Sequence, residues 1–311
     1  MANAKEISNR IKSIQDTMKI TRAMYMMSSM KLRKAKKQLE NTEPYFYALQ
    51  KEITDILLHF PDMQHLYFDN REEDQAEWVK RNAIIVVTAD KGMAGAYNQS
   101  VLKEAMKLLS QCEDYRLYVI GEVGRRYFTA QGCHIEENFQ FSVNNPSIHR
   151  ARIITELMVE LYKRDNIDSV YVVYTRMINS MRSEVDVHQV LPLKTKEFLK
   201  SEMTDKQGEQ INSDDEYLIY PSPQDVIENV AYNYVTGFLY GVLVEAYASE
   251  ENARMMAMQS ATDNAYAMLH DLSIEFNRVR QAAITQEITE VIGGAKALTK
   301  KKEKAKNARK Y

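Results

Sequence analysis

Proline is missing from residues 224–298, a stretch of about seventy-five residues. Nothing there interrupts a helix. At ~1.5 Å rise per residue an unbroken helix would run on the order of 110 Å, several times the ~30 Å of a small domain. No compact fold buries such an element alone. Long apolar runs are also missing, so no segment reads as a membrane-crossing helix. The opening MANAKEISNRIKS has no apolar core of the kind a secretory signal needs, and early Glu6 and Asp16 argue against a transit peptide. Cysteine is scarce: Cys112 and Cys133 have neither CxxC spacing nor neighbouring histidines, and reduced structural thiols are expected.

Chemical motifs are equally thin. The six histidines are scattered, with no H-x-x-x-H, and G-x-S-x-G does not occur. A β-branched run at residues 83–88 leads into DKGMAGAYN at residues 90–98, whose Gly92 and Gly95 match neither G-x-G-x-x-G nor the P-loop spacing. A tight turn capped by Asp90 is the expectation there, ahead of a bound nucleotide. Pairs such as Glu136-Glu137 and Asp214-Asp215 read as solvated loop charge.

What is present is periodicity. Val230, Tyr234, Gly237, Gly241, Val244, Ala248, Glu251, Met255, Met258, Thr262, Ala265, Leu269, Leu272, Phe276 and Val279 alternate steps of four and three, with Glu251 the single charged member. That 3.5-residue period winds a helix into a left-handed supercoil with a partner. Past Val279 the stripe resumes one place out of step at Ile284, Ile288, Val291, Ala295 and Leu298, so the last turns are expected to leave the partner. At the other end Ile7, Ile11, Ile14, Met18, Thr21, Tyr25, Ser28, Leu32, Ala35 and Leu39 carry the same beat, which continues past Pro44 to Phe60. Pro44 is expected to kink that helix or begin a new one. An intramolecular antiparallel coiled coil is predicted, with intermolecular dimerisation as the alternative.

Between the arms, buried-type strands at residues 83–88, 117–120 and 170–175 alternate with helices at 99–112, 122–131 and 148–162, and an alternating strand follows at 184–193. This order argues a small Rossmann-like α/β domain with a mostly parallel sheet and an antiparallel edge. Residues 194–216 read as an exposed loop of low order. The layout is therefore residues 1–60 as an N-terminal coiled-coil helix, 61–220 as an α/β foot, 221–298 as a C-terminal coiled-coil helix and 299–311 as a basic tail. Charge is polarised along it: residues 1–40 carry +7, residues 300–311 carry +6, and the chain as a whole only -2. Basic ends suit acidic partner surfaces, whereas a solvated helix face is the plainer reading.

Three stretches, RIKSIQDTMKITRAMYMMSSMKLRKA at residues 10–35, TADKGMAGAYN at 88–98, and SEENARMMAMQSATDNAYAM with FNRVRQAAITQEITEVIGGAKAL within 249–298, closely resemble the γ-subunit family of F-type ATP synthases. The loop departs from the family's form at Met93, Ala94 and Ala96. The resemblance implies a non-catalytic rotor shaft. Its helical pair would sit inside the hexamer of α and β subunits and its α/β foot against the ε subunit and the membrane c-ring, one copy per complex, with no cofactor and no nucleic acid. It implies that Lys19, Arg22 and Met24 face the acidic lever of β, that Arg280, Gln281, Thr285 and Glu287 meet the β catch loop with Arg254 near them, and that Tyr217 and Tyr220 lie where the foot meets the c-ring. A bacterial enzyme on the cytoplasmic face of the membrane is expected. The tail at residues 300–311 is expected to be without order or to thread toward the crown of the hexamer. Two other readings remain: a nucleotide- or small-molecule-binding α/β enzyme with a dimerisation stalk, and an independent coiled-coil scaffold.

Overall fold

A computed structural model describes residues 4–61, 63–68, 79–179, 182–202 and 219–307. Two long helices frame the chain, α1 at Ala4–His59 and α6 at Pro223–Asn307. Between them lie β1 (Arg81–Val87), α2 (Tyr97–Leu109), β2 (Asp114–Ile120), α3 (Glu122–Ala130), α4 (Ile148–Lys163), β3 (Ser169–Met177), β4 (Ser183–Leu191) and α5 (Thr195–Glu202). The chain forms two compact units: Met1–Tyr25 with Met258–Tyr311, and Met26–Ala257.

In the larger unit a four-stranded sheet has the order β2-β1-β3-β4. β1 pairs in parallel with β2 and β3, and β4 runs antiparallel at the edge. Alternate side chains of β1 enter opposite cores, because successive residues of a strand face opposite ways. Ala83, Ile85 and Val87 join one core with α1, α4 and α6, whereas Ile84 and Val86 join another with α2 and α3. Burial on both faces is why these strands read as continuous β-branched runs.

The helix pair follows the heptad reading. From Ile7 to Ile56 every seam position of α1 is buried or half-buried, as is Phe60 just past its end. In the smaller unit Thr21 and Thr262 share a buried 2.8 Å hydrogen bond between their hydroxyls. In the larger unit Phe46 stacks on Tyr234 at 4.8 Å and Lys31 reaches Glu251 at 3.0 Å. Within the larger unit the pairing moves from Phe46 to Lys31 on α1 as it moves from Tyr234 to Glu251 on α6, which is antiparallel. Ile53 and Ile56 are fully buried, and each such side chain contributes roughly 1.5–3 kcal/mol by leaving water.

Four expectations are corrected. No new helix begins at Pro44: α1 passes through it as one element, with Phe46, Leu49 and Ile53 keeping the seam packed beyond the lost hydrogen bond. α6 between Ala231 and Met255 is not a one-seam arm: Leu239, Tyr240, Val242, Leu243, Ala246 and Tyr247 are buried on other faces, where the sheet and α1 surround it. Residues 195–202 of the expected loop form α5, anchored by Phe198, which is buried against Phe68 and Tyr234. Residues 203–216 lie outside the described residues. Finally, α6 continues through Asn307, because the lysine- and alanine-rich tail contains good helix formers and no Gly or Pro.

The start of α6 is capped as its sequence suggests. Ser222 Oγ accepts the Asp225 N–H at 3.1 Å and donates to the Asp225 carboxylate at 2.7 Å, with Pro223 as the first helical residue.

Candidate functional site: a filled crevice and an exposed helix tip

In an open α/β sheet, ligands bind beyond the C-terminal ends of the strands where the strand order reverses direction. Here that point lies between β1 and β3. Protein fills it. Thr88 Oγ1, just past β1, donates to Ile120 O at 3.0 Å and accepts the Gly124 N–H at 3.0 Å, so the N-terminus of α3 spends a donor within the fold. Gly121 has φ of 94°, and a Cβ there would lie 2.1 Å from Thr88 O. These glycines let strand and helix touch and leave no cradle for a phosphate.

The DKGMAGAYN loop closes the other side. Asp90 does not cap its own turn as expected. It accepts hydrogen bonds from the Ser142 hydroxyl and from Asn144 Nδ2 at 2.6 Å, donors that the 142–144 loop brings to it across the fold. Asn98 Oδ1 accepts the Ala89 N–H at 2.9 Å. Ala89, Ala94 and Tyr97 form a small buried cluster against Ala253 of α6. Tyr97 donates its hydroxyl to Ala246 O at 3.2 Å, and Ser249 donates to Thr175 O, at the end of β3, at 3.1 Å. α6 therefore occupies the crevice where a ligand would otherwise sit.

A charge cluster accompanies this contact. Arg254, only 8% exposed, pairs with Glu250 and, at 2.9 Å, with Glu251; the Lys31 ammonium reaches the same Glu251 oxygen at 3.0 Å. Two cations balance two carboxylates. Burial pushes the Glu250 carboxyl above the usual range while Arg254 pulls it back down. Burial likewise raises the Tyr97 hydroxyl, and the Glu250 charge adds to that rise. Arg254, which the resemblance placed near the catch-loop contacts, is thus engaged by its own chain.

The remaining expected residues lie on exposed helix surface. In the smaller unit Lys19 pairs with Asp16 at 3.0 Å in the open, and Arg22 donates to the Tyr266 hydroxyl while lying 5.8 Å from the centre of its ring. Met24 is half-buried beside them in sequence. Farther along α6, every residue from Arg280 to Leu298 is exposed, including Arg280, Gln281, Thr285 and Glu287. The Thr285 hydroxyl donates to Gln281 O at 2.9 Å, a local helix contact. Ile284 is 49% exposed, Ile288 54% and Val291 72%, so the out-of-step stripe stands open to solvent. Arg22 therefore stands on a paired part of the helices and Arg280 on an unpaired one. Tyr220 is 93% exposed, and Tyr217 lies outside the described residues. In the larger unit Met26, Met27 and Met30 are more than half exposed.

Sequence reasoning singled out Glu251 as the one charge in the seam but missed Lys31, Glu250 and Tyr97. A basic residue on α1 at the antiparallel position facing Glu251 was the signal that could have found Lys31.

A family model described as ATP synthase matches residues 3–298. The ATP synthase gamma chain of Ruminiclostridium cellulolyticum is 41% identical over 297 residues, covering 95% of this chain and 99% of that one. The sodium ion specific ATP synthase gamma chain of Acetobacterium woodii is 36% identical over 304 residues, with 95% and 99% covered. Among solved structures, a chain in the central stalk/c-ring structure of the Tetrahymena thermophila mitochondrial ATP synthase shares the fold, with a TM-score of 0.55 at 20% identity over 78% of this chain and 99% of that chain. By family model and by relatives over nearly its whole length, the chain belongs to the ATP synthase gamma-chain family.

Proposed function

We propose that this chain is the central rotor shaft of an F1Fo ATP synthase, a non-catalytic subunit that couples ion-driven rotation of the c-ring to conformational cycling of the catalytic β subunits. The observation that carries the reading is the tip of α6. Residues 280–298 form an unbroken helix exposed on every face, with an apolar stripe at Ile284, Ile288, Val291 and Leu298. In proteins most helical stability comes from packing an apolar face against a neighbour, and here that face is open to solvent. It calls for an enclosing partner, and a hexamer of α and β subunits around it is such a partner. The filled crevice speaks against the alternative of a nucleotide-binding enzyme with a stalk.

In this reading residues 1–60 and 221–298 are the shaft, residues 61–220 the foot against the ε subunit and c-ring, and residues 299–311 a basic extension. Lys19, Arg22 and Met24 bear on the acidic lever of β. Exposed ion pairs contribute only ~0.2–1 kcal/mol each, so such contacts can be made and broken at every step. Arg280, Gln281, Thr285 and Glu287 bear on the catch loop, and Tyr217 and Tyr220 on the c-ring. No helix among the described residues is long and apolar enough to cross a membrane, and we place the chain peripherally on the cytoplasmic side of a bacterial membrane. Co-purification with α and β subunits, and loss of ion-driven ATP synthesis when Arg280 and Gln281 are both replaced by alanine, are the expected results. A stable homodimer that ignores α and β would sink the proposal.

A further inference from the structure

The charge cluster raises a question that stability does not answer. Buried ion pairs are weak sources of stability, because desolvation offsets most of the attraction and well-packed apolar residues often do as well. Their best-attested use is to fix register. The seam beside this cluster needs such a device. Gly237, Gly241, Val244 and Ala248 are small, so against a one-heptad slide this stretch of seam offers the Phe46 contacts with Tyr234 and Gly237 and little other shape. Glu251 forbids the slide. In the observed register it meets Lys31; one heptad either way would set it opposite Met24 or Gln38, neither of which carries a charge. The misplaced carboxylate would then stay buried with one cation fewer.

A second set of contacts fixes α6 against the sheet. Tyr97 and Ser249 join the helix to the loop after β1 and to the end of β3, and Arg254 holds Glu250 on the turn that carries Ser249. We propose that Lys31, Glu250, Glu251 and Arg254 are positioning residues that lock the register of α1 on α6 and the rotational setting of α6 in the sheet crevice, so that sheet and helix pair turn as one piece. This rests on the rotor reading and names the joint through which the torque would pass.

The test uses the whole complex, reconstituted in vesicles, with two variants. The first replaces all four residues with methionine, which keeps the volume apolar and filled. The second is Lys31→Met alone, on a side chain that is 47% exposed, so that the buried members of the cluster are left in place. Ions pumped per ATP hydrolysed is measured with a pH- or sodium-sensitive dye, and the angular spread of a bead on an exposed foot residue is followed in immobilised complexes. The expected result is a Tm close to that of the unaltered complex for the fourfold variant and a lower one for Lys31→Met, which leaves Glu251 with one cation fewer. In both variants pumping per ATP is lowered and angular spread widened by about twofold or more, in the range known for side chains that act through a packed network. A merely structural role would change the Tm or the yield and leave both ratios alone, and that result in Lys31→Met overturns the proposal even if the fourfold variant does not assemble. If the unaltered complex shows no rotation of the bead, the rotor reading fails instead, and the two failures are told apart.

Discussion

One helix supplies two opposite environments. Between Ala231 and Met255, α6 is enclosed on nearly every face by sheet, loop and α1, and between Arg280 and Leu298 it is exposed on every face. Both stretches are rich in apolar residues, so composition alone does not separate them. The first stretch spends its side chains on its own chain; the second keeps them for another. A protein that needed only stability would have ended the helix where its cover ends. Continuing for several more turns makes sense for an element that works on a partner.

The contrast can be broken most severely at the buried stretch. Arg254→Ala leaves Glu250 and Glu251 buried with Lys31 as their only paired cation among the described residues, and breaking a buried pair in this way costs about 3–5 kcal/mol. Urea or thermal unfolding should show a loss of that order; a change below about 1 kcal/mol would mean that water already reaches the cluster. Gly121→Ala comes next. Its Cβ would meet Thr88 O at 2.1 Å on a residue with φ of 94°, and strain and displacement together should cost about 3 kcal/mol.

The effect of pH is smaller. Burial raises the Glu245 carboxyl to about 7, with Arg176 pulling it back. Its folded value exceeds its unfolded value, so the fold favours the protonated form. The penalty is absent below the unfolded value near 4.5 and grows as pH rises through 7. Stability should therefore fall between pH 5 and pH 8, and Glu245→Gln should flatten that slope and add about 1 kcal/mol at pH 8, once partial exposure is allowed for. Unfolding midpoints measured across that range check both statements.

At the exposed stretch the smallest stability change should accompany a functional one. Ile288→Ala with Val291→Ala should move the stability of the chain alone by about 0.5 kcal/mol or less, as exposed substitutions do. The same pair should weaken assembly with the α and β subunits, measured by retention of the hexamer on a tagged chain. A large loss of stability in the isolated chain would erase the contrast between the two stretches.

Much of this was legible in the sequence because periodicity is a local record of burial. The heptad steps from Ile7 to Phe60 and from Val230 to Val279 mark the seam residues, and the slip after Val279 falls where exposure becomes complete. The β-branched runs located the strands for the same reason. What stayed hidden depends on distant chain segments meeting. Lys31 and Glu251 are 220 residues apart, and no local pattern marks lysine as the partner. The enclosure of α6 on its other faces, the burial of Phe198 in α5 and the reach of Asp90 to Ser142 are likewise set by tertiary packing, which overrides local propensity. Of the two expectations for the tail, lack of order is overturned as far as Asn307, where the helix propensity of lysine and alanine carries α6.

The central claim, that this chain is a turning shaft, is tested most directly by watching it turn. With the hexamer fixed to a surface and a bead attached through a cysteine at exposed Glu113 of the foot, ATP should drive the bead in one direction in discrete steps, and removal of ATP should stop it. Steady ATP hydrolysis by the same complexes with the bead at rest would contradict the account.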